Sequence, residues 1–371
     1  LDPGHEHPWA FARFQEYLYQ GDDLNYNPWF PSPEWAELLR NISETYHATC
    51  TAVRDLASFN AELKPRAQLI SGETMCLHDP ILQFEGRRVR PHTAPRVDNP
   101  DALMHDNTSV TTVHPHDECD IELLYDLGVQ NIGYYEFDLQ APAGAIVDIA
   151  GVEYIADNGN VQHTLGSKNC LRYVCAEGRN RFLSVKRRSG RYVFITFRNL
   201  TAPVRIRHLR LVESTYPVNA IGQFNCSNHA FVRIWEISAR SLKLCMEDTF
   251  TDCPLYEQTL WIGDARNEAL FAETAFGAHD LIRRCLRLGA QSLEHYPLVG
   301  AQVPSAWDML LPAWSFLWGI SVWDYYVATG DTDFLKDVWP AVMKNVRNAA
   351  DMRDERGLFS GPFWNMFDWA A

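Results

Sequence analysis

The sequence contains no run of about 18 apolar residues, so no membrane-spanning helix is expected. It opens with no secretory signal pattern. Its first residue is Leu rather than Met, which leaves a preceding portion, and with it secretion, open. No Cys-x-x-Cys pair occurs, and the nine cysteines are odd in number and scattered. Only Cys170 and Cys175 are close, which gives no disulfide framework. Mostly reduced, buried thiols in a cytoplasmic, bacterial-like protein are the expectation. Positive charge is also short: 33 Lys and Arg face 47 Asp and Glu, a formal net charge of −14. That balance argues against nucleic acid and anionic membrane as partners.

What is present is apolar and aromatic. The chain of 371 residues is 46% hydrophobic and holds 12 Trp, enough for two or three domains with real cores. Trp and acid together suit a neutral sugar, although large helical cores also bury Trp. Residues 1–60 carry an aromatic cluster and one helix start at Ser32-Pro33-Glu34, with no role assigned. Residues 61–216 alternate with period two. The clearest runs are Ile132–Leu139, Ala145–Ala150, Phe182–Val185, Tyr192–Phe197 and Val204–Val212, with turns at 141–144 and at Arg188-Ser189-Gly190. Short strands between such turns predict an antiparallel β-sandwich domain, read as a structural partner. His105-Asp106 and His114-Pro115-His116-Asp117-Glu118-Cys119-Asp120 are dense in ligand types. A metal needs three or four that converge, so the patch reads as a solvated loop, and neither metal nor cofactor is expected.

From residue 217 the period becomes helical. Ser227 is the expected cap of a helix with Phe231, Ile234, Trp235, Leu242 and Cys245 on one side. A helix rich in Ala265, Ala269, Ala272 and Ala275 is expected to break or bend at Gly277, continue through Leu281, Ile282, Cys285 and Leu286, and stop at Gly289. Pro312 opens a helix that Gly330 ends, and Asp331 caps another. About five helices in hairpins make 217–371 an all-α domain.

The chemistry is densest in Thr251-Asp252-Cys253-Pro254-Leu255-Tyr256-Glu257-Gln258-Thr259-Leu260-Trp261-Ile262-Gly263-Asp264-Ala265. Pro254 and Gly263 break any single helix through it, which predicts a loop ending at Asp264 as the N-cap of the following helix. Such a loop aims Asp252, Glu257 and Asp264 at one volume beside the flat Trp261 ring. Clustered carboxylates raise one another's pKa, and a Glu protonated near neutral pH serves as a general acid. The alternative is a capping Asp, a surface Glu and a core Trp that are merely neighbours.

The stretch resembles the signature of the α-L-rhamnosidases, glycoside hydrolase family 78. Asp252, Cys253, Pro254, Glu257, Trp261, Gly263, Asp264 and Ala265 match in place, while Tyr256 stands where the family usually has Arg. The resemblance implies hydrolysis of terminal α-L-rhamnosyl bonds with inversion, with Glu257 as general acid. Asp252 and Asp264 would grip sugar hydroxyls, Trp261 would wall the sugar, and Tyr256 would stand at the pocket. Trp307, Trp364, Asp368 and Trp369 are weaker substrate-binding candidates. It further implies the first part of an (α/α)6 toroid after the sandwich, with the general base Glu beyond the last residue. The expected ligand is a rhamnose-containing oligosaccharide or glycoside, and a homo-oligomer stays open. A different toroid glycosidase, lyase or phosphorylase, or a non-catalytic rhamnose binder, shares these features.

Overall fold

A computed structural model of the protein describes residues 68–75 (backbone only), 96–105, 107–116, 120–156, 159, 161, 169–305 and 307–366. The expected helix at Ser32-Pro33-Glu34 lies outside these residues. The chain divides into two compact units after Glu213.

The first unit is an antiparallel sheet. Its strands are β1 (Gln68–Met75), β2 (Val97–Asp98), β3 (Thr111–Val113), β4 (Asp120–Ala141), β5 (Ile146–Val152), β6 (Cys170–Val174), β7 (Gly178–Leu183), β8 (Arg188–Arg198) and β9 (Val204–Glu213). They are hydrogen-bonded in the order β2-β3-β9-β4-β8-β5-β6, with β1 and β7 also on β4. All nine therefore belong to one continuous network, because β4 changes partners along its length. Its first half pairs with β1 and β8, and its second with β7 and β9 and, at Asn131 to Gly133, still with β8. The change falls at a register shift between Asp126 and Asn131. Gly128 there has φ +81°, a conformation without steric cost only for glycine. Its N–H donates to Asp126 Oδ1 at 2.7 Å, and the same carboxylate is forked by Arg191 with two bonds of 2.8 Å. Side chains from both halves of β4 enter one core: Ile121, Leu123 and Tyr125 before the bend, Tyr135, Phe137 and Leu139 after it. The turn expected at Arg188-Ser189-Gly190 is a correction. These residues begin β8, opposite Gly133, Ile132 and Asn131. On its other side β8 comes close to β5 at two glycines, where a Cβ on Gly190 would meet Gly151 Cα at 2.9 Å.

The second unit holds α1 (His229–Leu244), α2 (Ile262–Phe276), α3 (His279–Ser292), α4 (Pro312–Thr329) and α5 (Thr332–Asp351). Asn228 rather than Ser227 caps α1, its side chain accepting from Ala230 N. Gly277 and Gly330 end α2 and α4 in the left-handed conformation, and Asp331 caps α5 by accepting from Phe334 N at 2.9 Å, all as expected. The alanines of α2 are buried. Small residues on that face let α4 come close. Gly289 does not stop α3, which runs on to Ser292. It is instead a contact: the Trp318 ring lies where a Cβ would stand, with its indole N–H on Leu286 O at 3.0 Å. Asn345 of α5 ties three segments together. Its Oδ1 accepts from Val299 N and Ser315 Oγ, and its Nδ2 donates to Ser315 O.

α4 is apolar on two sides. Trp314, Trp318, Val322 and Tyr325 are buried, whereas Phe316, Ile320, Trp323 and Val327 form a second, exposed stripe at helical spacing. The expected apolar side of α1 is also only partly used: Leu242 is buried, but Phe231 and Ile234 are exposed. Helices apolar all round belong in the interior of a larger array.

Two glycines give a paired test. In Gly289→Ala the new Cβ would lie 2.5 Å from Trp318 Nε1, and such overpacking costs about 1–3 kcal/mol. Gly319, inside α4, has nothing within 4 Å; alanine there should stabilise by about 0.5–1 kcal/mol. Thermal unfolding should show opposite shifts.

Candidate active site

The acidic loop is built by its own backbone. Asp252 N–H donates to Thr259 O at 3.2 Å, and Thr259 N–H returns to Asp252 Oδ1 at 3.3 Å. This closes the loop at its neck, while buried Leu255 and Leu260 anchor it to the core. Inside, Glu257 N–H donates to Cys253 Sγ at 3.2 Å. Gln258 adopts φ +52°, and its side chain donates to Pro254 O at 2.7 Å. The turn so made places Glu257 four residues before Trp261, and the Trp261 indole N–H donates to Glu257 Oε2.

Trp261 is set by a second segment. Ile262 N–H donates to Ala301 O at 2.9 Å and Val303 N–H to Leu260 O at 3.2 Å. Trp261 thereby pairs with Gln302. This pairing brings Trp307 edge-on to Trp261, with centroids 6.1 Å apart. Trp314 of α4 packs edge-on from another side at 5.0 Å. Gly263 makes that possible, because a Cβ there would fall 2.4 Å from the Trp314 ring.

The same pairing moves the helix start. α2 begins at Ile262, with Trp261 as its N-cap and Ala265 N–H on Trp261 O at 2.9 Å. Asp264 is therefore in the first turn rather than at the cap. An anion there still gains from the helix dipole.

Burial separates the acids. Glu257 is exposed, while Asp252, Asp264 and Glu268 are half-buried. Burial pushes Asp252 upward against the hydrogen bond from Cys253 and the backbone bond from Thr259, with the nearby Glu257 adding to the rise. The Cys253 thiol is raised to about 12 by burial and by Asp252, so it is no nucleophile. The largest effect falls on Glu268, raised to about 9 by burial first, then by Asp264 and Asp252. Like charges and desolvation act here as the sequence suggested, but on a residue that it did not single out. The available signal was spacing: Glu268 follows Asp264 by four residues on one helix, hence on one face.

Of the other expected site residues, Trp307 joins the Trp261 cluster and Tyr256 is half-buried within the loop. Trp364 is exposed, and Met366, two residues on, packs against the Ala301, Leu311 and Trp314 cluster that Trp261 also joins. Asp368 and Trp369 lie outside the described residues. Among the described residues no three His, Cys, Asp or Glu side chains converge as a metal site. His114 bonds instead to Asp98 at 2.7 Å, while Asp106 and Asp117 to Cys119 lie outside.

Known proteins match the chain that carries this loop and helix. Residues 219–371 match the bacterial alpha-L-rhamnosidase 6 hairpin glycosidase domain. The resemblance read from residues 252–265 is thereby shown. A family 78 rhamnosidase of Bacillus sp. GL1 is similar at 41% identity and a TM-score of 0.69, over 72% of this chain and 28% of that one. A rhamnosidase from Klebsiella oxytoca with rhamnose bound shares the fold at 19% identity and a TM-score of 0.60, over 88% of this chain and 63% of that one. The Aspergillus terreus α-L-rhamnosidase does so at 19% and 0.53, over 67% and 30%. This chain thus spans about a quarter of the Bacillus protein's length. No curated protein matches.

Glu268 provides a test by pH. Its ordinary value is 4.5, and in the folded protein it is about 9. Between those values the unfolded chain has released a proton that the folded chain keeps, so stability falls as pH rises through that window. Glu268→Gln removes the loss. Its thermal midpoint should exceed that of the wild type by a margin that grows from about pH 5 to about pH 9. A margin independent of pH would contradict this assignment.

Proposed function

We propose that this chain is part of an inverting α-L-rhamnosidase that removes terminal α-L-rhamnosyl residues from rhamnosides, with Glu257 as the general acid. The observation that carries it is the hydrogen bond from Trp261 to Glu257 Oε2 within a stretch matched to the rhamnosidase domain. An exposed carboxyl tethered by an indole can reach a glycosidic oxygen without changing its backbone. Protonation of that oxygen is the step a glycosidase acid must perform. Asp252 and Asp264, whose charges bear on the half-buried Glu268, are assigned to the sugar hydroxyls, with Trp261 and Trp307 as apolar walls. Tyr256, in place of an arginine, has one hydroxyl to offer and so supplies no bidentate grip.

Inverting enzymes hold acid and base about 6.5–9.5 Å apart to admit a water. The family resemblance assigns that base to a later Glu, so none is assigned to a residue of this chain. In the same reading the sheet unit is the sandwich that precedes the catalytic domain, and α1–α5 are helices of an (α/α)6 toroid. The exposed Phe316, Ile320, Trp323 and Val327 stripe on α4 supports the toroid, since an inner helix must be covered on both sides.

Glu257→Gln should lower turnover of natural rhamnosides by about 10²–10⁴-fold. Rhamnosides with a strongly acidic leaving group should suffer much less, because they depart without a proton. Equal losses on both substrates would remove Glu257 from this role. Asp252→Ala should weaken rhamnose binding by calorimetry, whereas exposed Glu355→Ala should not.

A further inference from the structure

Gln302 has no task in the mechanism above, yet it lies beside the tryptophan that tethers the acid. The bonds from Ile262 N–H to Ala301 O and from Val303 N–H to Leu260 O flank the Trp261–Gln302 pair without joining it. In such a pair the two side chains leave on the same face and at the closest approach. Gln302 is 4% exposed. Its Oε1 accepts from Ser305 Oγ at 2.9 Å, and Ser305 Oγ accepts from Trp307 N–H at 3.0 Å. Its Nε2 is shielded and has no hydrogen-bond partner. A buried donor left unpaired costs free energy, and an apolar side chain of similar size would avoid that cost. The acceptor is therefore what the position retains, against stability. Residues that break a local rule in this way point to function.

We propose that Gln302 is a positioning residue of the rhamnosyl pocket, which fixes Trp307 against Trp261 by a relay through the Ser305 hydroxyl. For the sugar, the proposal rests on the rhamnosidase reading of this site. Trp307 is 49% exposed, and its edge-on contact with Trp261 at 6.1 Å does not by itself fix a ring on an exposed segment. The Ser305 hydroxyl has one proton, which it gives to Gln302, and a lone pair that takes the Trp307 N–H. The main chain of Trp307 is thereby tied to a buried amide that stands directly across from Trp261. Both walls are referred to one pair of backbone positions. Ser305 and Trp307 are exposed, so water replaces either bond when it is lost. Loss of the relay therefore frees Trp307 with little effect on the fold. Because Gln302 Nε2 is shielded, the residue acts on the sugar through Trp307 rather than by contact.

The test compares the full chain with Gln302→Met, Ser305→Ala, Trp307→Phe and the double variant Gln302→Met with Trp307→Phe. Calorimetry reads L-rhamnose affinity, near-ultraviolet circular dichroism reads the tryptophans, and thermal unfolding reads the midpoint. The share of the spectrum that belongs to Trp307 is the difference between wild type and Trp307→Phe. Gln302→Met should lose most of that share and bind rhamnose about three- to tenfold more weakly, with a midpoint no lower than that of the wild type. Ser305→Ala should do the same from the other end of the relay. In the Trp307→Phe background, Gln302→Met should change affinity by less than about twofold, since the indole that it positions is gone. Equal losses with and without Trp307 would overturn the proposal. So would a lower midpoint with spectrum and affinity unchanged, the mark of a merely structural glutamine. Both outcomes leave the rhamnosidase reading intact. Failure of the wild type to bind rhamnose would instead overturn that reading, while the spectrum, which needs no sugar, still decides the relay. If Gln302→Met does not fold, Ser305→Ala leaves the buried amide in place and decides by the same measures.

Discussion

The antiparallel contact between Leu260–Ile262 and Ala301–Val303 is the constraint on which the site depends. Two backbone hydrogen bonds fix the main chain on either side of Trp261. Trp261 then holds the acid Glu257 and meets Trp307 and Trp314. Gly263 and buried Ala301 keep the space around it free of side-chain bulk. Displacement of either segment would move the indole, and with it the carboxyl that it tethers. Catalytic groups held on such paired backbone keep their geometry better than groups on free loops.

The two units treat buried acid differently. In the sheet, Asp126 is forked by Arg191, Asp138 by Arg179, and Asp148 by Arg172 with Arg198 added. Arg179 holds the Asp138 carboxyl well below the usual range, so this acid is structural and permanently charged. In the helical unit the acids near Trp261 press on one another. Burial and the two aspartates lift Glu268 to about 9. Residues with such perturbation inside a cleft are candidates for function, whereas arginine-forked ones belong to the frame.

Much of this was legible because local chemistry wrote it into the chain. The αL ends at Gly277 and Gly330, the Asp331 cap and the alternation along β4 and β9 all follow from residue type at fixed spacing. Misreadings occurred where a distant segment overruled a local signal. Asp264 is a good N-cap residue, but Ala301 captures Ile262 N–H and the helix starts earlier. Gly289 looks like a stop, yet it is a seat for Trp318 from another helix. Arg188-Ser189-Gly190 looks like a turn, yet it is a strand, because it pairs with Asn131 to Gly133 and Gly151 leaves room for its backbone.

The sequence by itself determined the family resemblance, the choice of Glu257, Asp252, Asp264 and Trp261 as candidates, and the switch from strands to helices. Those depend on residue types at short, fixed separations, which a linear chain displays. Only the tertiary structure decided which glutamate is shielded. Glu257 and Glu268 are both glutamates near the same aspartates, and nothing local separates them. One projects from a loop and is exposed, while the other sits on the inward side of α2 with its Oε2 shielded. Desolvation depends on every element packed around a group, and that sum does not exist until the chain is folded.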